Sequence, residues 1–152
     1  MNSAWTEAEL AYFAGILDGE GCFGISRCVK RGHPAYHTRV SVTNTSAQLM
    51  RWLLDHFGGA VCLRSKTQHS NPNANPLRWK PSFEWKCADK AVAEFLPLVL
   101  PYLVIKREQA TLVIEYRKTV LRKGGEKPLP AGIVQHRDQL KSRLSLLNKK
   151  GA

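Results

Sequence analysis

Apolar positions change their spacing several times along this 152-residue chain, and each change marks an element. Thr6 followed three residues later by Glu9 has the spacing of a helix capping box, and no proline interrupts Glu7 to Leu17, so a helix is predicted there. After Gly19 and Gly21 the period becomes two. Phe23, Ile25 and Val29 then alternate with Gly24, Ser26, Cys28 and Lys30, as in a strand with one buried face. A turn is expected over Arg31, Gly32, His33 and Pro34. A second strand should follow it, with Val40 and Val42 inward and His37, Arg39, Ser41 and Thr43 outward.

Ser46 can cap a second helix, in which Leu49, Trp52, Leu53 and Phe57 recur at helical spacing until Gly58 and Gly59 stop it. A third strand places Val61 and Leu63 on one side and Cys62, Arg64 and Lys66 on the other. A loop from Thr67 to Pro81 precedes a fourth strand around Phe83 to Cys87, where the alternation does not decide which set faces out. Asp89 is placed to cap a helix reaching Val99, and Pro101 should break it. A longer helix is expected from Val104 to Arg122, ahead of Gly124 and Gly125. A last helix after Pro130 would carry Ile133, Arg137, Leu140, Leu144 and Leu147 on one stripe. The order predicts an α+β chain with its four strands in one antiparallel sheet. Residues 1–152 read as one domain, with a core over about 5–123 and a C-terminal helical extension over about 128–149; no internal repeat is visible.

Composition narrows the function. Hydrophobic residues make up 43% and charged residues 23%, as in a globular protein, and no apolar run approaches the ~20 residues that span a bilayer, so a soluble chain with no membrane span is expected. The start, MNSAWTEAEL, has the features of neither a signal nor a transit peptide, which points to the cytoplasm or to an organellar matrix with its own genes. Cys22, Cys28, Cys62 and Cys87 are too scattered for paired-cysteine metal or redox chemistry and read as reduced strand or core residues. The net charge of +11 favours a polyanionic partner, nucleic acid or membrane surface. Its distribution is uneven: Ser26 to Lys90 holds eleven Lys and Arg against three Asp and Glu, while acid collects at Glu7, Glu9, Asp18 and Glu20.

The end of the first helix, FAGILDGEG over Phe13 to Gly21, carries the candidate chemistry. Gly15 and Gly19 lie four apart on one side, where a second helix could approach the backbone closely. Asp18 and Glu20 put carboxylates where the helix dipole is already negative, a placement that a cation would relieve. If two copies of the helix paired about a twofold axis, their Glu20 side chains would converge. They would then need protonation or a divalent ion, for which oxygen donors suit Mg²⁺.

This segment resembles the LAGLIDADG motif of the homing endonucleases. Ala14, Gly15, Asp18 and Gly21 are identical to it and the other five positions are conservative changes, including Glu20 for Asp. VTN at the end of the second strand and LVIKREQA further on resemble family segments with a polar active-site residue and a lysine, here Asn44 and Lys106. The resemblance covers roughly Glu9 to Leu121. It implies an αββαββα fold with a saddle-shaped sheet and appended C-terminal helices, and a homodimer that hydrolyses both strands of a long, near-palindromic double-stranded DNA target to leave short 3′ overhangs. Glu20, Asn44 and Lys106 would be catalytic. Glu20 and Gly19 would hold Mg²⁺ or another divalent ion such as Mn²⁺, and Ala14, Gly15 and Asp18 would line the dimer contact. Ser26, Cys28, Lys30, His37, Arg39, Ser41, Arg64 and Lys66, the polar sides of the strands, would face the DNA.

Plainer readings stand beside these. Asn44 could cap the second helix, Lys106 could be a solvated charge, and the basic face could be merely solvated. Two alternative functions keep the fold: a catalytically inactive DNA-binding regulator, and a maturase acting on intron RNA. A third, a different RNA-binding protein, would stack bases on aromatics such as Phe23 and Trp85.

Overall fold

The computed structural model describes residues 4–64, 80–120 and 128–149. Its elements are α1 (Glu7–Glu20), β1 (Gly21–Lys30), β2 (His33–Asn44), α2 (Ala47–Phe57), β3 (Ala60–Leu63), β4 (Phe83–Ala88), α3 (Asp89–Val99), α4 (Arg107–Lys118) and α5 (Ala131–Lys149), with a 3-10 turn at Leu100–Tyr102. The four strands form one antiparallel sheet in the order β1-β2-β4-β3. This is the predicted α+β arrangement. Lys66, the 67–81 loop up to residue 79 and the glycines at 124 and 125 lie outside the described residues.

The helices cover one face of the sheet. Phe23, Ile25, Tyr36, Thr38, Val40, Val42, Trp85 and Cys87 are buried there, against Leu10, Phe13 and Leu17 of α1 and apolar residues of the other helices. Burying Phe23 and Trp85 completely removes them as stacking residues for RNA. The register also settles β4: Thr43 pairs with Glu84, Ser41 with Lys86 and Arg39 with Ala88, so Glu84, Lys86 and Ala88 belong to the open face. Among the described residues no helix is long and apolar enough to cross a membrane.

Local signals match the caps in two cases. The Thr6 side chain accepts the Glu9 N–H while Glu9 accepts the Thr6 N–H, and Ser46 accepts from the Leu49 N–H. Elsewhere the structure corrects the reading. The β1–β2 turn is only Arg31 and Gly32, at φ 50° and 80°, so His33 and Pro34 already pair with Lys30 and Val29. Two residues at positive φ match the twist of the flanking strands, which a type I or II turn would splay. Val29 is 69% exposed, because the hairpin tip runs beyond the helices. α4 starts at Arg107 rather than Val104, and residues 104–106 form a bend held by Asp18.

Asp89 does not cap α3 with its side chain. It is the first residue of the helix, at φ 43°, and its carboxylate reaches sideways to the Thr38 N–H at 2.9 Å and to His37 Nδ1 at 3.0 Å. Burial works against its charge. The hydrogen bonds from His37 and the Thr38 N–H, with the charges of His37 and Arg117, outweigh that and hold the carboxyl below its ordinary value.

The C-terminal helix is part of the same core, since Leu140 and Leu144 join the central apolar cluster and Arg137 is buried on the predicted stripe. Arg137 donates to Thr119 Oγ1 and to the Thr119 carbonyl, and lies over the rings of Tyr116 and Tyr36 at 5.0 and 5.5 Å. Asp138 ties α5 to the hairpin: it accepts from the Tyr36 hydroxyl at 2.6 Å and from Arg27 at 2.9 Å. Burial first, then the bond to Asp138 and its charge, push the Tyr36 phenol up to about 12. The fold thus favours neutral Tyr36, and this contribution to stability is intact below pH 10 and lost as pH rises from 10 to about 12. Urea midpoints across that window should fall more steeply for the wild type than for Tyr36→Phe. In Asp138→Ala, phenolate absorbance should show Tyr36 ionising at lower pH than in the wild type.

Candidate active site

The site forms where α1 ends, because a helix terminus leaves carbonyls without partners. Here they are met from across the chain. Lys106 Nζ donates to the carbonyl of Leu17 at 3.0 Å and to that of Gly21, placing a cation at the negative end of the helix. Asp18 returns the tie: its carboxylate accepts the N–H groups of Val104 at 2.8 Å, Ile105 at 3.1 Å and Lys106 at 2.9 Å, just ahead of α4. Lys106 is therefore not a freely solvated charge.

Gly21 is required for space. A Cβ there would sit 2.6 Å from the Leu17 carbonyl oxygen and 2.7 Å from the Leu17 Cα, although its φ of −76° suits any residue. The chain can turn directly from helix into β1 only without that side chain.

The turn leaves Glu20 exposed at the junction, and Asn44, at the end of β2, donates from Nδ2 to Glu20 Oε2 at 2.6 Å. Asn44 Oδ1 accepts the Ser46 N–H at 2.7 Å, which fixes the amide and orients it. The cap of α2 is Ser46, so Asn44 serves the loop before the helix and Glu20 together. Glu20 Oε1 has no hydrogen-bond partner among the described residues. Three of the expected site residues, Glu20, Asn44 and Lys106, are thereby gathered at one end of α1, along with the Gly19 backbone.

The expected dimer residues separate. Gly15 and Gly19 are exposed, and a Cβ at either would meet nothing within 4 Å. Ala14 instead is fully buried in the chain's own core, and the Asp18 carboxylate is spent on residues 104–106, so neither stands on the open side of the helix. That side carries Ala8, Ala11, Tyr12, Gly15 and Gly19, without a charge. Spacing alone could have excluded Ala14, because the apolar set Leu10, Phe13, Ala14 and Leu17 already claims the inward stripe.

On the open face of the sheet, Ser26, Cys28, Lys30, Arg39 and Arg64 are exposed. His37 stands on the same face with its ring held by Asp89, whereas Ser41 is 5% exposed, set between Cys22 and Lys86 on the neighbouring strands. Lys86, missed by sequence reasoning, adds another exposed cation, and Glu84 is the only carboxylate that the described strands put on this face. The signal that could have found them is the β2–β4 register, which depends on pairing across the sheet. The cysteines are free: Cys22 and Cys28 are exposed, and Cys87 is buried, which pushes its thiol up to about 11.

The donor set for a metal is one carboxylate oxygen and nearby backbone carbonyls. Among the described residues no three His, Cys, Asp or Glu cluster to hold an ion. Glu20 and the Gly19 carbonyl are oxygen donors that suit a hard cation as part of a coordination shell, the rest of which would come from water or from other oxygen donors.

Two effects of substitution separate here. Asp18→Ala should strip three backbone N–H groups of their acceptor and cost about 2–3 kcal/mol by urea denaturation, since hydrogen bonds to a charged group are the strong ones. Glu20→Gln, at an exposed position, should change stability by less than roughly 0.5 kcal/mol.

No family model matches the sequence, and no curated protein sequence does. Solved structures do. The homing endonuclease I-CvuI, seen with a DNA target, superposes with a TM-score of 0.69 at 18% identity over 93% of this chain and 82% of that one. The archaeal intron-encoded homing endonuclease I-Vdi141I, in complex with DNA, gives 0.70 at 16% identity over 93% and 84%. The LAGLIDADG homing endonuclease I-GzeII, also with a DNA target, gives 0.58 at 12% identity over 87% of this chain but 43% of that one. The five helices and the four-stranded antiparallel sheet of the described residues thus have the LAGLIDADG homing endonuclease fold.

Proposed function

We propose that this protein is a site-specific homing endonuclease of the LAGLIDADG type, which hydrolyses both strands of a long, near-palindromic duplex as a homodimer and leaves short 3′ overhangs. The observation that carries the reading is the cluster of Glu20, Asn44 and Lys106 at the end of a helix whose outer side is bare. A charge-free helix face of Ala, Gly and Tyr in water is the kind of surface that a second helix covers. Each chain brings one Glu20, so pairing α1 with its counterpart would bring two such carboxylates together. I-CvuI is matched over 82% of its length, and I-GzeII and I-SmaMI over only 43% and 42%, as expected if longer relatives hold two such units in one polypeptide.

The basic face of the sheet supports duplex DNA as the substrate. The ten residues of β1 reach about 33 Å, close to one turn of B-DNA, so the β1–β2 hairpin is long enough to follow a groove. Lys30, Arg39, Arg64 and Lys86 would neutralise phosphates or read base edges. Homing endonuclease structures with Mg and with Ca among the similar folds agree with a divalent ion, Mg²⁺ or Mn²⁺, in the reaction. Held by Glu20 and the Gly19 carbonyl, the ion would activate water and neutralise the leaving oxygen. Asn44 keeps Oε2 of Glu20 occupied and so presents Oε1. Lys106 has three N–H donors and gives two of them to carbonyls, leaving one for a phosphate oxygen.

The test is cleavage of a plasmid carrying the DNA that flanks the gene, with Mg²⁺ or with EDTA. Double-strand cutting that needs Mg²⁺ is expected, with the protein sedimenting as a dimer on the product. Glu20→Gln should lower the cleavage rate by at least about 10³-fold while binding persists. Tight binding by the wild type without cutting in Mg²⁺ would replace the nuclease with the regulator. A monomer that cuts would overturn the shared site.

A further inference from the structure

Asp89 is one of two non-glycine residues at positive φ among those described, and the only one inside the fold's interior joints; the other, Arg31, serves the hairpin turn. Nothing in the helix that Asp89 begins requires that conformation, since its carboxylate leaves the α3 N–H groups without a side-chain cap. A left-handed conformation at a non-glycine residue costs energy and persists only where the surroundings impose it. Here it turns the side chain out to β2 at Thr38, just past the last β2–β4 pair, Arg39 with Ala88. Oδ1 accepts the Thr38 N–H at 2.9 Å and lies 3.3 Å from the Thr38 hydroxyl, and Oδ2 meets His37 Nδ1 at 3.0 Å. Arg117 approaches Oδ1 from α4 at 3.8 Å. The carboxylate is thus held from three sides, and the ring it holds is 40% exposed on the open face of the sheet, between Ala35 and Arg39.

An ionised carboxylate has no proton to give. Since Oδ1 is taken by the backbone of Thr38, Oδ2 can only accept, and His37 Nδ1 must carry the hydrogen. In the neutral imidazole Nε2 is then a lone-pair acceptor, and Nε2 has no partner among the described residues. We infer that Asp89 is a specificity-determining positioning residue: by fixing the ring and its tautomer, it makes neutral His37 an acceptor that selects base pairs offering an exocyclic amine, adenine N6 or cytosine N4, in the major groove. The inference rests on the proposed binding of duplex DNA to this sheet.

Asp89→Asn is the discriminating variant, because asparagine tolerates the same φ and can keep the Thr38 bond through its own oxygen. Its Nδ2 would then face His37 Nδ1 and donate to it, which moves the ring hydrogen to Nε2 and reverses the preference toward acceptors such as guanine O6 and N7. Two readouts are needed. Nitrogen NMR of histidine-labelled protein at pH 8.5 should show the Nδ1–H tautomer at His37 in the wild type and the Nε2–H tautomer in Asp89→Asn. Selection from a random duplex library at the same pH should show one base pair per half-site at which preference falls by about tenfold or inverts in Asp89→Asn, the position that His37→Gln also relaxes. The double variant should match His37→Gln there.

An unchanged tautomer in Asp89→Asn overturns the inference. So does an altered melting temperature with every base preference intact, the result expected of a purely structural tie. If the wild type enriches no sequence at all while the NMR tautomers behave as stated, it is the DNA-binding reading of the sheet that fails, and the role of Asp89 in recognition fails with it.

Discussion

The cross-tie between Asp18 and Lys106 governs the rest of the structure. A helix end is electrostatically and sterically awkward, since its last carbonyls are unpaired and its dipole repels the acid that follows. In this chain the two problems are solved by residues 88 positions apart that satisfy each other's backbone: Lys106 takes carbonyls of α1, and Asp18 takes the N–H groups before α4. Because each side chain is anchored on the other's segment, neither α1 nor α4 can slide without breaking both. That rigidity is passed to Glu20, two residues past Asp18, and to the first residue of β1.

The same tie explains why Gly15 and Gly19 matter differently from Gly21. Gly21 has no room for a side chain, because the strand leaves the helix against Leu17. Gly15 and Gly19 have all the room they need and face solvent. A residue that would be free to grow in the isolated chain, yet is glycine, has its cause outside the chain or in no packing constraint at all. Open space on the uncharged side of a helix whose other side is filled by core residues favours the first.

Much of this was legible from local pattern. Alternation and helical spacing found the elements and their order, and the Thr6–Glu9 and Ser46 caps are set by residues within three positions of one another. What was not legible required partners far away in sequence. Asp89 is an ordinary cap in the sequence, but its carboxylate finds a better-supported place on Thr38 and His37, 51 and 52 residues off, helped by Arg117. The Val104–Lys106 stretch looks helical until Asp18 captures its N–H groups. Ala14 reads as an interface residue by motif, and the core takes it. At the site, Glu20 came from the motif and Asn44 and Lys106 from two separate segments that resemble the family, while their meeting at one helix end, the Glu20–Asn44 bond and the double duty of Lys106 emerge only from the folded geometry.

Two surfaces on the chain are unsatisfied in opposite ways, and they meet at Glu20. The outer side of α1 is uncharged and wants an apolar neighbour; the open side of the sheet is cationic and wants an anionic one. A protein folded for its own stability alone would have little reason to keep both so near one carboxylate, since the bare helix invites aggregation and the clustered cations repel one another. The arrangement makes physical sense if each surface is relieved by its own partner and the two contacts converge on the end of α1. Covering the helix face would then bring a second carboxylate beside the first, and covering the sheet would bring phosphates to the same place. The negative charges of both would accumulate there, at the C-terminal end of a helix dipole, with Lys106 as the one side-chain cation bonded to its last carbonyls among the described residues. The sheet cations would answer the phosphates, but two carboxylates brought together at the end of a helix dipole would leave Lys106 alone against them, a charge that a divalent ion or a proton would relieve.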